Sequence, residues 1–271
     1  MTGTSLHRID RGHGLPVLVF IHGFTCSSSD WAPQVEALSE RYRCIALDLP
    51  GHGRSRSPAD PTLRSLANAA NDCLDSLRID EAVLIGHSMG CRMVTEMYAH
   101  SPARVRGLVY VDGSLLTQAS PDDAVAQFEE IIGRIGMGEF LRRLYEGFFV
   151  ADTPEGVRST VLEQLPRVDP AFARSLWLDL VRWDASRYRS LLPTIAVPTL
   201  VIQSTYLDAS TRRSSLAPGQ SQPWLEELSR SIPDVRIEVI PGIGHFPMTE
   251  APDRTIELIG AFTEWIARGR P

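Results

Sequence analysis

The sequence predicts an α/β protein in which a mostly parallel sheet of about seven or eight strands carries helices on both faces. Two observations lead to this fold class. Short apolar runs such as 17–21 are typical of strands buried on both faces, and they alternate along the chain with amphipathic stretches typical of helices. In addition, 271 residues of which 43% are hydrophobic and 22% charged can bury one large core.

The predicted elements follow one another in a regular order. Strands are expected where short apolar runs occur, at 6–10, 17–21, 43–47, 82–85, 105–111, 199–203 and 235–240. Helices are expected where apolar residues recur at helical spacing, at 30–40, 63–77, 88–100, 224–231 and 252–267. In the third helix Met89, Met93 and Met97 recur every four residues, which indicates a face packed on the sheet.

Residues 114–192 interrupt this alternation. The segment is too long for a loop of a compact domain, and its helical periodicity is too strong for a disordered linker. We therefore predict a helical insertion over 114–192, with residues 1–113 and 193–271 together forming the core domain.

Composition and charge argue against several classes of partner. The net charge is −6 and no block of five or more basic residues occurs, which argues against nucleic acid and against an anionic membrane surface. No apolar stretch approaches the roughly 18 residues that span a bilayer, and residues 1–11 lack the apolar region of a signal peptide. We expect a cytoplasmic protein, a monomer or homodimer, with a small-molecule substrate.

The four cysteines give no sign of a metal site or of disulfides. Cys26, Cys44, Cys73 and Cys91 are scattered, without the C-x-x-C spacing or the accompanying histidines of a zinc site. Free cysteines usually pack as small apolar side chains, so we expect reduced thiols here. We expect neither a metal nor an organic cofactor.

A G-H-S-M-G pentapeptide occupies 86–90, between the predicted strand 82–85 and the helical run that follows it. A serine on such a sharp turn between strand and helix stands out from the backbone, where a base can reach it. The glycines two residues away relieve the crowding that this turn creates. The motif therefore predicts Ser88 as a nucleophile.

Two loops are predicted to complete the chemistry around this serine. His245 lies in the glycine-containing loop 241–247 after the last predicted strand, and an ordinary pKa of about 6.5 suits a base for a serine hydroxyl. The loop after strand 17–21 contains Phe24. We predict that the backbone N–H groups of Phe24 and Met89 bind the carbonyl oxygen as it gains charge, which lowers the barrier by roughly 3–4 kcal/mol per donor.

Four landmarks, in this order, resemble the α/β-hydrolase superfamily over nearly all of the chain. They are His22-Gly23-Phe24, the segment Asp48-Leu49-Pro50-Gly51-His52-Gly53-Arg54-Ser55, the serine turn, and Gly244-His245. The resemblance implies the α/β-hydrolase fold, with a helical cap inserted after the family's sixth strand at 114–192. It also implies that His22 and His87 brace loops. Room for one strand before residue 17, where relatives often have two, favours seven strands.

Two aspartates are candidates for the acid that orients His245. The resemblance places this acid most commonly after the penultimate strand, where Asp208 lies, but the segment 203–208 contains no glycine and is one residue longer than the usual turn. Other members take the acid from the end of the sixth strand, where Asp112 closes the run 107–112. We predict Asp112, with Asp208 as the alternative; either would hold the imidazole tautomer and stabilise the imidazolium.

The resemblance implies a serine hydrolase that works through an acyl-enzyme on a carboxylic ester or lactone. Because a serine and not an aspartate occupies the turn, haloalkane dehalogenase and epoxide hydrolase activities are not expected. The aromatic residues of the insertion predict a hydrophobic or ring-containing substrate. The residues expected to bind this substrate are Phe24, Phe148, Trp177, Trp183 and Phe246.

Other functions on the same scaffold stay open, because the fold alone does not separate them. A carbon–carbon bond hydrolase would use the same three side chains. A cofactor-independent dioxygenase or a hydroxynitrile lyase would keep the histidine and use the serine differently or not at all. A small-molecule receptor would keep the site with vestigial turnover and use the aromatic insertion as a partner surface.

Overall fold

The computed structural model describes residues 6–117, 119–163, 165, 168–207 and 212–269. Its strands are β1 (Arg8–Arg11), β2 (Val17–Ile21), β3 (Cys44–Leu47), β4 (Ala82–His87), β5 (Val105–Val111), β6 (Thr199–Gln203), β7 (Thr205–Leu207), β8 (Arg213–Ser215) and β9 (Val235–Val239). Seven of them form one sheet in the order β1-β3-β2-β4-β5-β6-β9, and β7 pairs with β8 as a separate hairpin. β1 runs antiparallel to β3, and the other neighbours in the sheet are parallel.

Helices surround this sheet. They are α1 (Ala32–Leu38), α2 (Leu63–Ser76), α3 (Met89–His100), α4 (Pro121–Ile135), α5 (Met137–Glu146), α6 (Glu155–Leu162), α7 (Pro170–Ser186), α8 (Tyr188–Leu191), α9 (Pro223–Ser231), α10 (Pro247–Glu250) and α11 (Pro252–Ala267). Among the helices of the described residues, none is both long and apolar enough to cross a lipid bilayer.

Alternate side chains of the central strands enter two apolar cores, one on each face of the sheet. On β2, Val19 belongs to the core that includes α2 and α3, whereas Phe20 belongs to the core that includes α1 and α11. Both side chains are fully buried, which explains why this strand is apolar at every position. Met89, Met93 and Met97 all belong to the first core, as the four-residue spacing predicts.

The carboxyl ends of the parallel strands meet at one edge of the sheet. β2 lies between β3 and β4 in the sheet. The connection from β2 to β3 and the connection from β4 to β5 therefore run toward opposite edges of the sheet, and such a reversal opens a crevice in α/β sheets. Backbone hydrogen bonds continue the strand pairing one residue beyond the ends of β4 and β5. The Ser88 N–H donates to the Val111 carbonyl at 3.0 Å, and the Asp112 N–H donates to the Ile202 carbonyl at 2.8 Å.

Helices α4 to α8 all lie between β5 and β6, inside the segment 114–192. α4 packs along α7, and α7 contacts α2 beside the sheet. Buried residues of these helices, such as Phe140 and Leu180, join the apolar core on one face of the sheet. The insertion therefore shares an apolar core with the rest of the chain, and its treatment as a separate domain stays a prediction.

The observed elements agree with the predicted ones to within a few residues, apart from some local differences. The first strand is Arg8–Arg11 rather than 6–10. The predicted helix 30–40 begins as a 3₁₀ turn over Ser28–Trp31, and α1 follows with Pro33 in its first turn, where a missing N–H costs nothing. The β7–β8 hairpin is not predicted, because strands of three residues are too short to show a hydrophobic period.

Candidate active site

Ser88 lies on the sharp turn between β4 and α3, with φ 54° and ψ −112°. A side chain in this left-handed region is strained, and such strain occurs mainly where function requires it. The two neighbouring glycines are required by close contacts. A Cβ on Gly86 would lie 2.1 Å from the Gly90 carbonyl oxygen, and one on Gly90 would lie 2.4 Å from the Ile21 carbonyl oxygen. The structure therefore contains the turn that the pentapeptide predicts.

A chain of hydrogen bonds joins Ser88 to two buried side chains. The Ser88 Oγ lies 2.9 Å from His245 Nε2, and His245 Nδ1 lies 2.6 Å from Asp112 Oδ2. An ionised carboxylate only accepts, so Nδ1 carries the proton and Nε2 accepts from the serine hydroxyl. The structure thus brings together Ser88, His245 and Asp112, while the alternative acid, Asp208, lies outside the described residues.

The Asp112 carboxylate is fully buried and surrounded by donors. Oδ1 accepts from both the N–H and the hydroxyl of Ser204 and from the Thr205 N–H; Oδ2 accepts from the Thr205 hydroxyl at 2.6 Å and from Arg213 Nη1 at 3.1 Å. Burial opposes ionisation, but the bonds from His245 and Thr205 and the charge of Arg213 outweigh it and lower the pKa of Asp112 to about 2. The carboxylate is therefore ionised and fixed.

His245 is held as a neutral base. Burial lowers its pKa well below the usual value, the charge of Arg213 lowers it further, and Asp112 opposes both effects. The unprotonated imidazole, which alone can accept a proton from a serine, therefore persists in mildly acidic solution. It is lost only when the pH falls through this depressed pKa.

The loop that carries His245 is held from both sides. The Glu250 carboxylate accepts from the N–H groups of Gly244 at 3.0 Å and of Phe246 at 3.1 Å. The His245 carbonyl accepts from His87 Nε2 at 2.7 Å. These bonds fix the backbone on either side of the imidazole, so the ring needs no reorganisation to reach the serine.

The loop histidines occupy the bracing positions that the resemblance implies. His22 Nδ1 donates to the Gly23 carbonyl at 2.7 Å, and His22 Nε2 accepts from the Leu49 N–H at 3.1 Å. His87 braces the backbone of His245. Both rings are buried, which lowers the pKa of each. Neither ring hydrogen-bonds Ser88.

The two amides predicted to bind the oxyanion lie beside the serine. Phe24 and Met89 line the same cavity as Ser88, and neither N–H donates to any residue in the described part of the chain. The Tyr145 hydroxyl on α5 donates to the Phe24 carbonyl and accepts from the Thr25 hydroxyl at 2.6 Å. A helix of the insertion thus holds the loop that contains Phe24.

The serine opens onto a cavity of about 470 Å³ between the strand ends and the insertion. Three of the residues predicted to bind substrate, Phe24, Phe148 and Trp177, line it. Its other apolar walls are Met89, Leu116, Phe128, Ile131, Ile135, Phe140, Leu144, Leu180 and Leu207. Polar and charged side chains also line it: Ser114, Glu146, Arg92, Arg134, Arg143, Arg212 and Arg213. A mainly apolar cavity that also contains polar groups is the usual form of a small-molecule site.

Trp183 and Phe246 correct the prediction, because neither is among the described residues that line this cavity. Trp183 is six residues after Trp177 on α7, so it points from a different side of the helix, where its Nε1–H donates to Glu96 at 2.6 Å. Phe246 is buried in the core on the opposite face of the sheet, and its ring packs against His87 at 5.3 Å between centroids.

Two arginines near the site, Arg92 and Arg213, belong to no sequence motif, and only their contacts in the structure connect them with the site. Arg92, four residues after Ser88 on α3, forms a two-point ion pair with Asp184 on α7. Arg213 bonds Asp112. The one available signal is the charged Arg92 in an otherwise apolar stretch of a helix that packs on the sheet.

The described residues contain no group of three or more His, Cys, Asp or Glu side chains arranged to hold a metal ion. All four cysteines are free and buried. Burial raises the pKa of Cys91 to about 12, so that this neighbour of the serine stays a thiol.

Comparison with known proteins places this architecture in a family. The model of the Alpha/beta hydrolase family matches residues 18–258. The chain is 34% identical to (E)-2-((N-methylformamido)methylene)succinate hydrolase of Acinetobacter baylyi over 127 residues, 46% of this chain and about half, 48%, of that protein.

Two solved structures resemble the whole chain. A thermophilic esterase from Thermogutta terrifontis has a TM-score of 0.79 and 25% identity, over 96% of this chain and 93% of its own. An N-acyl homoserine lactone degrading enzyme has a TM-score of 0.76 and 25% identity, over 95% and 96%. We therefore conclude that this chain is an enzyme of the alpha/beta hydrolase family.

Proposed function

We propose that this enzyme is a serine hydrolase that cleaves a carboxylic ester or lactone of a hydrophobic or ring-containing small molecule through an acyl-enzyme. The observation that carries the proposal is the hydrogen-bond chain in which Ser88 Oγ lies 2.9 Å from His245 Nε2 and His245 Nδ1 lies 2.6 Å from Asp112. This is the arrangement that makes a serine hydroxyl nucleophilic at neutral pH.

Each side chain has one role in the proposed reaction. Ser88 attacks the carbonyl carbon while His245 accepts its proton and then returns that proton to the leaving alcohol. Asp112 holds the imidazole tautomer and stabilises the imidazolium without itself taking a proton. The amides of Phe24 and Met89 bind the oxyanion, and water then repeats the sequence on the acyl-serine.

The substrate class follows from the walls of the cavity and from the leaving group. Aromatic and aliphatic side chains surround the space next to Ser88, so an apolar or ring-containing acyl or alcohol group is favoured over a polar one. Esters and lactones release an alcohol, which departs with less assistance than an amide nitrogen. The esterase and the lactone-degrading enzyme that the chain resembles support this choice.

The test is turnover of a short-chain aryl ester, followed by labelling with a serine-directed phosphonate. We expect hydrolysis, a mass increase of one phosphonyl group on Ser88, and loss of turnover in proportion to labelling. Ser88→Ala is expected to retain only the acceleration due to binding and the oxyanion amides, about 10³- to 10⁴-fold over water.

Ser114 provides a matched control inside the same cavity. It lines the cavity with Ser88 but bonds Arg213, not the histidine. Labelling is therefore expected on Ser88 and not on Ser114. Turnover that persists undiminished in Ser88→Ala, or label found on Ser114, would remove the proposed mechanism. A panel of lactones, aryl esters and vinylogous diketones then separates an esterase or lactonase from a carbon–carbon bond hydrolase.

A further inference from the structure

We propose that Arg213 is a positioning residue of this reaction, whose guanidinium fixes the Asp112 carboxylate and places a positive charge near His245. The inference rests on the serine-hydrolase function proposed above. Its consequence is that hydrolysis extends to lower pH than the aspartate and histidine alone would allow.

The contact between Arg213 and the acid is direct and enclosed. Arg213 Nη1 lies 3.1 Å from Asp112 Oδ2, the same oxygen that lies 2.6 Å from His245 Nδ1. The Arg213 side chain is 3% exposed and that of Asp112 0%. Because guanidinium and imidazole share one oxygen, their nearest nitrogens lie within about 6 Å, where two charges interact strongly in a protein interior.

Several further contacts, from the hairpin and from the insertion, hold the guanidinium in place. Arg213 Nη1 also donates to the Thr205 hydroxyl at 2.9 Å, and Nη2 donates to the Ser114 hydroxyl at 3.1 Å. The guanidinium carbon lies 5.5 Å from the centroid of the Phe148 ring. Since Thr205 on β7 and Arg213 on β8 both bond Asp112, the hairpin works as a clamp on the carboxylate.

The position of the acid explains why a cation is found here. The resemblance places the acid most often after the penultimate strand, which here is β6, but the structure has a buried aspartate bonded to His245 at the end of β5. The β7–β8 hairpin follows β6 and delivers Thr205 and Arg213 to that aspartate instead. The hairpin after β6 thus places a positive charge next to this aspartate.

Among the described residues several charged or titratable groups surround the imidazole, and the positive charge of Arg213 lies against Asp112. The groups facing this region are Asp112 after β5, Arg213 on β8, His87 at the end of β4, Glu250 on α10, and Cys91 and Arg92 on α3, with Asp184 of α7 paired to Arg92.

These groups affect the protonation of His245 in opposite directions. Asp112 alone would raise the pKa of His245, because a carboxylate stabilises the imidazolium. Burial and then the charge of Arg213 act against it. Arg213 is itself fully enclosed, and burial lowers its pKa to about 10, so it remains charged throughout the neutral and acidic range.

The experiment compares kcat/KM against pH for the intact enzyme and two variants, with a neutral aryl ester as substrate. In Arg213→Gln we expect the acidic limb to move upward by about one to two pH units, so that kcat/KM at about pH 5 falls roughly 10- to 100-fold more than at about pH 8. In Arg213→Lys the charge remains, so the acidic limb is expected to stay within about half a pH unit of the parental limb. The plateau of kcat/KM is expected to fall, because an ammonium group does not reproduce the planar geometry of the guanidinium.

If Arg213 had a purely structural role, its loss would lower the plateau of kcat/KM without moving the acidic limb. Thr205→Val is the control variant that is expected to show this pattern. This variant removes the hydrogen bond from Thr205 to the same Asp112 oxygen and the bond that Thr205 accepts from Arg213, without changing any charge. We expect a lower plateau and an unmoved acidic limb. An Arg213→Gln limb that coincides with the parental limb, with only the plateau lowered, would overturn the proposal.

A measurement on the parental protein keeps the proposal testable even if Arg213→Gln does not fold. The protonation of the His245 ring is followed by NMR between about pH 4 and pH 8. We expect a neutral ring at about pH 5.5; protonation at or above the ordinary value of about 6.5 would overturn the inference.

The two proposals fail in distinguishable ways. If the parental enzyme neither hydrolyses the ester nor takes the phosphonate on Ser88, the serine-hydrolase function is wrong, while the NMR titration still reports the state of His245. If hydrolysis and labelling succeed but the limb of Arg213→Gln does not move, only the role of Arg213 is wrong.

Discussion

Arg92 and Asp184 form a buried ion pair that joins the helix behind the serine to the helical insertion. Arg92 Nε lies 2.6 Å from Asp184 Oδ1, and Nη2 lies 2.5 Å from Oδ2. Arg92 also donates to the Ser114 carbonyl, and Asp184 accepts from the Leu116 N–H. The pair therefore organises the first residues of the insertion as well as its longest helix.

Removal of one partner of this pair is expected to destabilise the protein strongly. Asp184→Asn leaves the buried charge of Arg92 unpaired, and Arg92→Met leaves the buried charge of Asp184 unpaired. Either change is expected to lower the free energy of unfolding by about 3–5 kcal/mol. The double variant Arg92→Met/Asp184→Leu loses much less than the sum of the two single changes. Urea unfolding measures all three.

An exposed ion pair between two helices of the insertion serves as the control. Arg174 on α7 lies 3.2 Å from Glu129 on α4, and both side chains are about half exposed. Arg174→Gln is expected to change the free energy of unfolding by less than about 1 kcal/mol. Equal effects of Arg174→Gln and Asp184→Asn would contradict the importance given to burial.

Asp112→Asn is expected to lower kcat by about 10³- to 10⁴-fold, because an amide no longer holds the productive tautomer of His245. The measurement is steady-state hydrolysis of an aryl ester, with folding checked by circular dichroism. Asp208→Asn is the matched isosteric change at the alternative acid, and kcat is expected to stay within about twofold. A larger loss in Asp208→Asn would make Asp208 the acid.

Tyr145→Phe tests whether the insertion positions the oxyanion amide. The change removes the hydroxyl that bonds the Phe24 carbonyl and the Thr25 side chain. We expect kcat to fall about 10-fold with little change in KM, less than the 10²- to 10³-fold loss of a whole oxyanion donor.

Tyr188→Phe is a control that removes a buried hydroxyl elsewhere in the insertion. That hydroxyl has no hydrogen-bond partner among the residues the structure describes, so its removal breaks no bond. We expect an unchanged kcat and an equal or higher free energy of unfolding. If both variants lose activity equally, the bond to Phe24 is not the cause.

Trp177→Leu is expected to lower kcat/KM for an aryl ester about 10-fold relative to a short alkyl ester, because Trp177 forms an aromatic wall of the cavity beside Phe24. Trp183→Phe removes a tryptophan of the same helix that does not line the cavity. We expect it to leave this ratio within about twofold and to lower the free energy of unfolding, because Glu96 loses a donor. The opposite pattern would mean that Trp183, not Trp177, faces the substrate.

Buried neutral histidines make the fold sensitive to acid. Burial lowers the pKa of His52 to about 3 and that of His87 to about 4. An unfolded chain protonates these rings near pH 6.5, so stability is complete above that pH and falls as the pH drops toward 4. The loss is up to about 1.4 kcal/mol per pH unit for each ring.

His52→Gln is expected to make this decline shallower by the contribution of one ring. The measurement is the free energy of unfolding in urea at several pH values between about 4 and 8. A parental slope that the substitution leaves unchanged would show that His52 is not excluded from protonation by its surroundings.

The sequence was sufficient to predict the seven sheet strands and five of the six α-helices outside the insertion, because strands and helices covered by a core must be apolar with a regular period. The sixth helix, α10, has only four residues, too few to show such a period. The two strands of the hairpin were missed for the converse reason. Arg213 and Thr205 face a buried carboxylate, so polar residues occupy positions where burial normally selects apolar ones.

The candidate site was predictable to the extent that backbone strain leaves a sequence signature. Gly86 and Gly90 indicate the turn at Ser88, because a side chain at either position would collide with the backbone. The link between Asp112 and Arg213 leaves none, because the two residues are 101 positions apart and meet only through the sheet order. The helical period likewise does not say which side of α7 faces the cavity, and this is why Trp183 was misplaced. The expected oligomeric state stays a prediction.

At least four contacts among the described residues join the insertion to the groups around Ser88, and they limit how the protein can be re-engineered. Tyr145 holds the Phe24 loop, Asp184 holds Arg92, the Phe148 carbonyl accepts from the His245 N–H, and the Thr153 hydroxyl donates to Glu250. A chimera that takes this segment from another hydrolase must keep all four contacts. Without them the groups around Ser88 lose their positions, whatever substrate the new segment would bind.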